Sequence, residues 1–124
     1  MKYGVTEALI ELRPGAKWIV NGEVYSGIEW LDSGQTKPTE EEVNAKITAL
    51  DNAEAERLLR IERNMKISQS DWRVTKAKET STNIPTAWKT YRQALRDLPA
   101  STTPTLDSNY NLDPSSVTWP TEPS

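Results

Sequence analysis

The stretch Pro38-Thr39-Glu40-Glu41-Glu42-Val43, running on to Met65-Lys66-Ile67, decides the fold of this chain. Thr39 has the side chain of a helix N-cap, and Glu42 stands three residues later, as in a capping box. The three glutamates lie where the positive end of a helix dipole favours them. Beyond them Val43, Ile47, Leu50, Leu58, Ile61 and Met65 recur at spacings of three, four and eight, and nothing breaks a helix before Ile67. These residues predict one helix of about 27 residues, roughly 40 Å long at 1.5 Å per residue. Its middle turns hold Asp51, Asn52, Glu54 and Glu56, with only Ala53 and Ala55 as small apolar fillers, so a long coiled coil is not expected. The alanines instead fit close approach by the chain's own second helix or by a partner surface.

On the C-terminal side, Ser68-Gln69-Ser70-Asp71 is rich in cap formers, and Lys76–Asn83 holds no aliphatic residue larger than alanine. Residues 68–84 therefore read as a loop. A second helix is expected from Pro85, favoured in a first turn, to about Leu98, with Trp88, Tyr91, Leu95 and Leu98 on one face and Pro99 as its stop. Residues 99–124 hold five of the eight prolines and no basic side chain; they read as an extended tail anchored on the helices by Leu106, Tyr110, Leu112, Val117 and Trp119.

On the N-terminal side, all five glycines fall within the first 34 residues. Trp18-Ile19-Val20, Asn21-Gly22 and Glu23-Val24-Tyr25 form a strong hairpin signal, since Asn and Gly tolerate the positive φ of a type I′ turn. Ile28–Leu31 reads as a further strand, and Ala8–Leu12 as a strand or short helix, with strand preferred. The architecture expected is α+β: a small N-terminal antiparallel β meander over residues 1–38, a helical hairpin of a long and a shorter antiparallel helix over 39–98, and the extended proline-rich C-terminal tail over 99–124.

The chain has 124 residues, a net charge of -3, and neither cysteine nor histidine. Disulfides, Cys/His zinc sites, thiol nucleophiles and imidazole bases are thereby excluded. Leu, Ile and Val make only 23 residues and Phe is absent, so the core is thin and the five tryptophans supply much of it. Such a chain is expected to finish burying its apolar faces on a partner. No run of about 18 apolar residues is present, so no membrane span is expected. Met1–Ile10 carries Lys2 and Glu7 and lacks the apolar core of a secretory signal.

Catalytic patterns fail one by one. The acids lie at helix starts and on solvated faces, where pairs such as Glu42 with Lys46 and Glu62 with Lys66 are expected. Asp107 and Asp113 do not make a metal cluster. Ser70 is followed at the third position by Arg73 rather than a lysine, and no phosphate-binding glycine loop occurs. Residues 68–98 carry a local balance of +3 beside Trp72, Trp88 and Tyr91, a pattern that can bind single-stranded nucleic acid; Trp88 and Tyr91 lie on an apolar helix face, which favours the core instead. Trp72 likewise reads as a core anchor, with an interface hot spot as the alternative. Arg92, Arg96 and Asp97 read equally as surface ion pairs or as guanidinium groups stacked on tryptophan and tied to tail carbonyls.

The spacing of Arg63-Asn64, Ser70-Asp71-Trp72, Trp88-x-x-Tyr91-Arg92-Gln93-Ala94-Leu95-Arg96-Asp97-Leu98-Pro99 and Val117-x-Trp119-Pro120-x-x-Pro123 resembles the bacteriophage tail (fibre) assembly chaperone family over residues 57–124. Leu12-Arg13-Pro14-Gly15-Ala16-x-Trp18 and Ile28-Glu29-Trp30 resemble the leader of some members. The chain departs from the family pattern at Met65-Lys66-Ile67, where a leucine pair is usual, and at residues 73–84, which lack an acidic proline loop. The resemblance implies no enzymatic reaction and no cofactor. It implies a non-catalytic chaperone that binds a tail-fibre protein, expected to be trimeric, and assists its folding or trimerisation in the host-cell cytoplasm. A structural adaptor or cap retained in the virion at the fibre or baseplate is the alternative. No nucleic-acid or membrane partner is implied, and a homo-oligomer or symmetric copies on one fibre are compatible with the role. Asp71, Trp72, Trp88, Tyr91, Arg92, Arg96 and Trp119 match the family motif and are expected to knit helices and tail together. Trp18, Tyr25 and Trp30 are the candidate partner-binding residues.

Overall fold

The computed structural model describes residues 3–123; Met1 and Lys2, which enter the signal-segment reading, lie outside the described residues. Three α-helices and one two-stranded antiparallel sheet follow the order α1 (Val5–Leu12), β1 (Trp18–Val20), β2 (Ile28–Trp30), α2 (Glu40–Glu79) and α3 (Thr86–Ser101). The class is α+β. The chain divides into two compact units: residues up to Glu54 with Ser108–Tyr110, and Ala55–Asp107 with the chain from Asn111 onward.

In the first unit, residues 8–12 form part of helix α1 rather than the expected strand. Val5, Ala8, Leu9 and Leu12 share one helical face, and Val5, Ala8 and Leu9 are buried against Ile28, Val43 and Ile47. Glu7 reaches back to the Gly4 amide at 2.9 Å, closing the first turn. The apolar face of α1 is thus complete only in helical geometry.

The hairpin forms with a different partner strand from the one expected. Val20 pairs with Ile28 and Trp18 with Trp30, so residues 21–27 are all loop and Glu23–Tyr25 form no strand. Gly22 takes positive φ as expected, 77°, but the residue that shares it is Glu23, at 53°, and not Asn21. The loop is held wider because Ile28, one register further on, is the residue that enters the core, and Gly27 lets the two arms close. The Asn21 amide donates to the Gly27 carbonyl at 2.9 Å, and a Cβ at Gly27 would lie 1.9 Å from the Asn21 carbonyl oxygen.

Helix α2 starts as expected. The Thr39 hydroxyl accepts from the Glu42 amide at 3.1 Å, while Glu42 pairs with Arg13 at 3.3 Å. It runs to Glu79, 40 residues and about 60 Å, twelve residues past the end assigned from sequence. Ser68–Asp71 does not uncoil, because Ser70 is buried and its hydroxyl donates back to the Ile67 carbonyl at 2.9 Å. The connection to α3 is only residues 80–85.

In the second unit, Leu59 faces Leu98, Arg92 faces Ile67 and Ser70, and Arg73 faces Trp88, which fixes α3 antiparallel to α2. The expected face of α3 is the buried one: Trp88, Tyr91, Leu95 and Leu98. Pro99 does not stop the helix, which continues to Ser101; the proline nitrogen cannot donate to the Leu95 carbonyl, and only the last two residues of α3 follow it. After α3, Leu106 bridges Leu112, and Asp113 caps a short 3-10 turn at Pro114–Ser116. Val117 is buried with Leu59 and Leu98, and Trp119 packs beside them. Tyr110, read as an anchor, is instead exposed at a turn with φ 63°.

Candidate interaction surface

Arg92 is the polar centre of the second unit. It projects from α3 with its side chain 12 % exposed, and one guanidinium nitrogen donates to the Ile67 carbonyl at 3.0 Å and the Ser70 hydroxyl at 2.6 Å. The other meets the Asp71 carboxylate at 2.9 Å. Three consecutive needs of α2 are met by one planar group, which a lysine could not do. The carbonyl that Arg92 ties belongs to α2, not to the C-terminal segment. Arg96 lies along α3 and donates to Gln93, while Arg63 donates to the Arg96 carbonyl.

Trp88 and Tyr91 meet edge to face, 5.6 Å between ring centroids. Burial, with Glu122 nearby as the smaller cause, raises the Tyr91 phenol above its ordinary value. Trp119 joins the clusters around Leu59 and Trp88, with the Lys66 ammonium 5.1 Å from its ring. Trp72 is the exception among the aromatic motif residues: it stands 54 % exposed on α2, outside the core.

Arg73, absent from the sequence candidates, is sandwiched between rings. Its guanidinium carbon lies 3.7 Å from the Trp88 centroid and 4.4 Å from that of Trp72. Its buried Nε has no hydrogen-bond partner, so the ring faces supply the charge compensation. The signal was a tryptophan beside an arginine with a second tryptophan one helical hairpin away. With Arg73 and Arg92 both engaged internally, the local positive balance is carried outward by Lys76, Lys78, Lys89 and Arg96.

In the first unit, Trp18, Tyr25 and Trp30 are half-buried against the core around Leu9 and Ile28. The Tyr25 hydroxyl donates to the Pro38 carbonyl at 2.7 Å, and the Trp30 indole to the Gln35 carbonyl at 2.8 Å. Their sequence neighbours Ile19, Val24 and Leu31 are each about half exposed. The aromatics thus form a rigid base from which aliphatic side chains project.

Among the described residues no group of three or more His, Cys, Asp or Glu is placed to hold a metal. None of their helices is long and apolar enough to cross a membrane.

The family model described as phage tail assembly chaperone protein matches residues 56–124, over half of the chain. The chain belongs to this family. The matched segment begins within two residues of the start of the second unit, so the Arg92 clasp, the Arg73 sandwich and the Trp119 cluster all lie inside it. Comparison with curated proteins found no match, and comparison with solved structures found none. Family membership assigns the chain to assembly of a phage tail in the host cytoplasm and to a chaperone-type role.

Proposed function

We propose that the chain binds a phage tail-fibre protein and assists its folding or trimerisation without catalysing a reaction. Ile19, Val24 and Leu31, exposed beside Trp18, Tyr25 and Trp30, carry this reading. In a chain with so few large apolar residues, exposed aliphatics on an aromatic base are a costly arrangement unless a partner covers them. The trimeric fibre is the partner we assign, and Trp18, Tyr25 and Trp30 shape the contact. Of the family motif residues in the second unit, Asp71, Trp88, Tyr91, Arg92 and Trp119 act structurally, holding α2, α3 and the C-terminal segment together.

Coexpression with the tail-fibre protein encoded beside this chain, followed by size-exclusion chromatography with light scattering, tests the proposal. The expected result is a soluble complex and a fibre that is trimeric only when the chain is present. A fibre that trimerises alone, with no complex, overturns it. Ile19→Ser and Leu31→Ser change exposed positions and are expected to weaken capture of the fibre at least tenfold without unfolding the chain. Mass spectrometry of purified virions separates a released chaperone from a retained cap.

A further inference from the structure

Helix α2 has two apolar faces in the second unit, and the fold uses one. Leu59, Ile67, Ser70 and Arg73 turn toward α3 and the C-terminal segment. At about 100° per residue, Ile61, Met65, Ser68, Trp72 and Thr75 fall within an arc of about 80° on the opposite side. Ile61, Met65 and Trp72 are 48 %, 54 % and 54 % exposed. The steps of four, three, four and three are those of a coiled-coil seam, which is matched by a second helix and not by a strand.

From this face we infer that the chain forms an antiparallel homodimer through α2 between Ile61 and Glu79, independently of the fibre reading. The seam is complementary to its own reverse. With a two-fold axis near residue 70, Trp72 lies over Ser68 of the second copy, Met65 over Thr75, and Ile61 over the stem of Glu79. Each large side chain meets a small or flexible one. On one flank Glu62 faces Lys76 of the second copy, twice by symmetry, and Gln69 faces Gln69. On the other flank Asn64 faces Lys78, and Asp71 meets its symmetry mate with its charge already matched by Arg92 at 2.9 Å.

Charge alone permits a parallel pair as well, since Arg57 would then approach Glu62 and Asp71 approach Lys76. Side-chain volume selects against it: a parallel register stacks Trp72 on Trp72 and Ser68 on Ser68, a collision beside a gap. Asp71 is also already committed to Arg92.

Sedimentation of the full-length chain across a concentration series tests the inference. The expected result is a concentration-dependent dimer whose Kd rises at least tenfold in Met65→Glu and Trp72→Glu, with unchanged far-ultraviolet circular dichroism. Glu62→Lys weakens it, and Glu62→Lys combined with Lys76→Glu restores it, a rescue a parallel pair would not give. The chain has no native cysteine, so Gln69→Cys is expected to form an interchain disulfide on oxidation while Ser68→Cys, a parallel-only neighbour, forms little. A chain monomeric at every concentration overturns the inference, as does a dimer indifferent to the two folded glutamate variants. Cross-linking through Ser68→Cys alone overturns the antiparallel arrangement. Loss of fibre capture in Trp72→Glu with a monomeric free chain assigns the face to the fibre and also overturns it.

Discussion

Arg92 satisfies a carbonyl, a hydroxyl and a carboxylate of α2 from a position on α3, so its removal strips several charge-assisted bonds at once. Only the two to Ile67 and Ser70 are well shielded, since Asp71 is exposed and its ion pair is worth little. Arg92→Met is expected to cost about 2 kcal/mol in urea unfolding. Arg92→Lys should recover less than half of that, because an ammonium group lacks the planar fork. Asp32 offers a pH-dependent counterpart in the first unit. Its carboxylate accepts the backbone N–H groups of Lys17, Gln35 and Gly34, and these bonds hold it below the ordinary value of 3.8. Because the folded value is the lower one, its contribution is present above about pH 4 and is lost as pH falls through the folded value. Thermal melts from pH 7 to pH 2 should show Asp32→Asn less stable at neutrality and flatter on the acid side.

At the scale of the element, Gly22 and Gly27 occupy one loop for different reasons. Gly22 needs positive φ but has open space around it, so Gly22→Ala is expected to cost about 1 kcal/mol. Gly27 has ordinary φ but no room, and Gly27→Ala should cost about 3 kcal/mol and weaken the Trp18–Trp30 cross-strand signals in NMR. This pair shows what was legible in the sequence. The positive φ of Gly22 could be read because it is a local property of that residue; that Glu23 and not Asn21 shares it, and the choice of β2 over Glu23–Tyr25, could not, because they depend on which residue reaches the core and on a close approach six residues away. Helix α2 divides the same way. Thr39 and Glu42 announce its start locally, but the cap-forming run at Ser68–Asp71 reads as an end unless one knows that Arg92, more than twenty residues on, meets Ile67 and Ser70 in helical form.

The whole molecule shows the same division between near and far. The buried face of α3 was readable from spacing alone, whereas the exposure of Trp72 and the stacking of Arg73 on two rings follow from how α2 is rotated against α3. The second unit has its own buried clusters around Leu59 and Leu95, and it coincides with the family-matched segment. A fragment of residues 55–124 is therefore expected to fold by itself, keeping the near-ultraviolet signature of Trp88 and its helical circular dichroism; a fragment that lacks both would show that the unit depends on the rest of the chain. Two units in one chain are commonly joined by a loop, and here the backbone passes from Glu54 to Ala55 in the middle of α2, with both side chains buried. A protease needs a stretch of chain it can pull straight, and this boundary offers none. Limited digestion should nick the turn at residues 80–85 or the segment after Ser101 first, so the two halves of this protein would never be released from one another by the enzyme that most often reveals such halves.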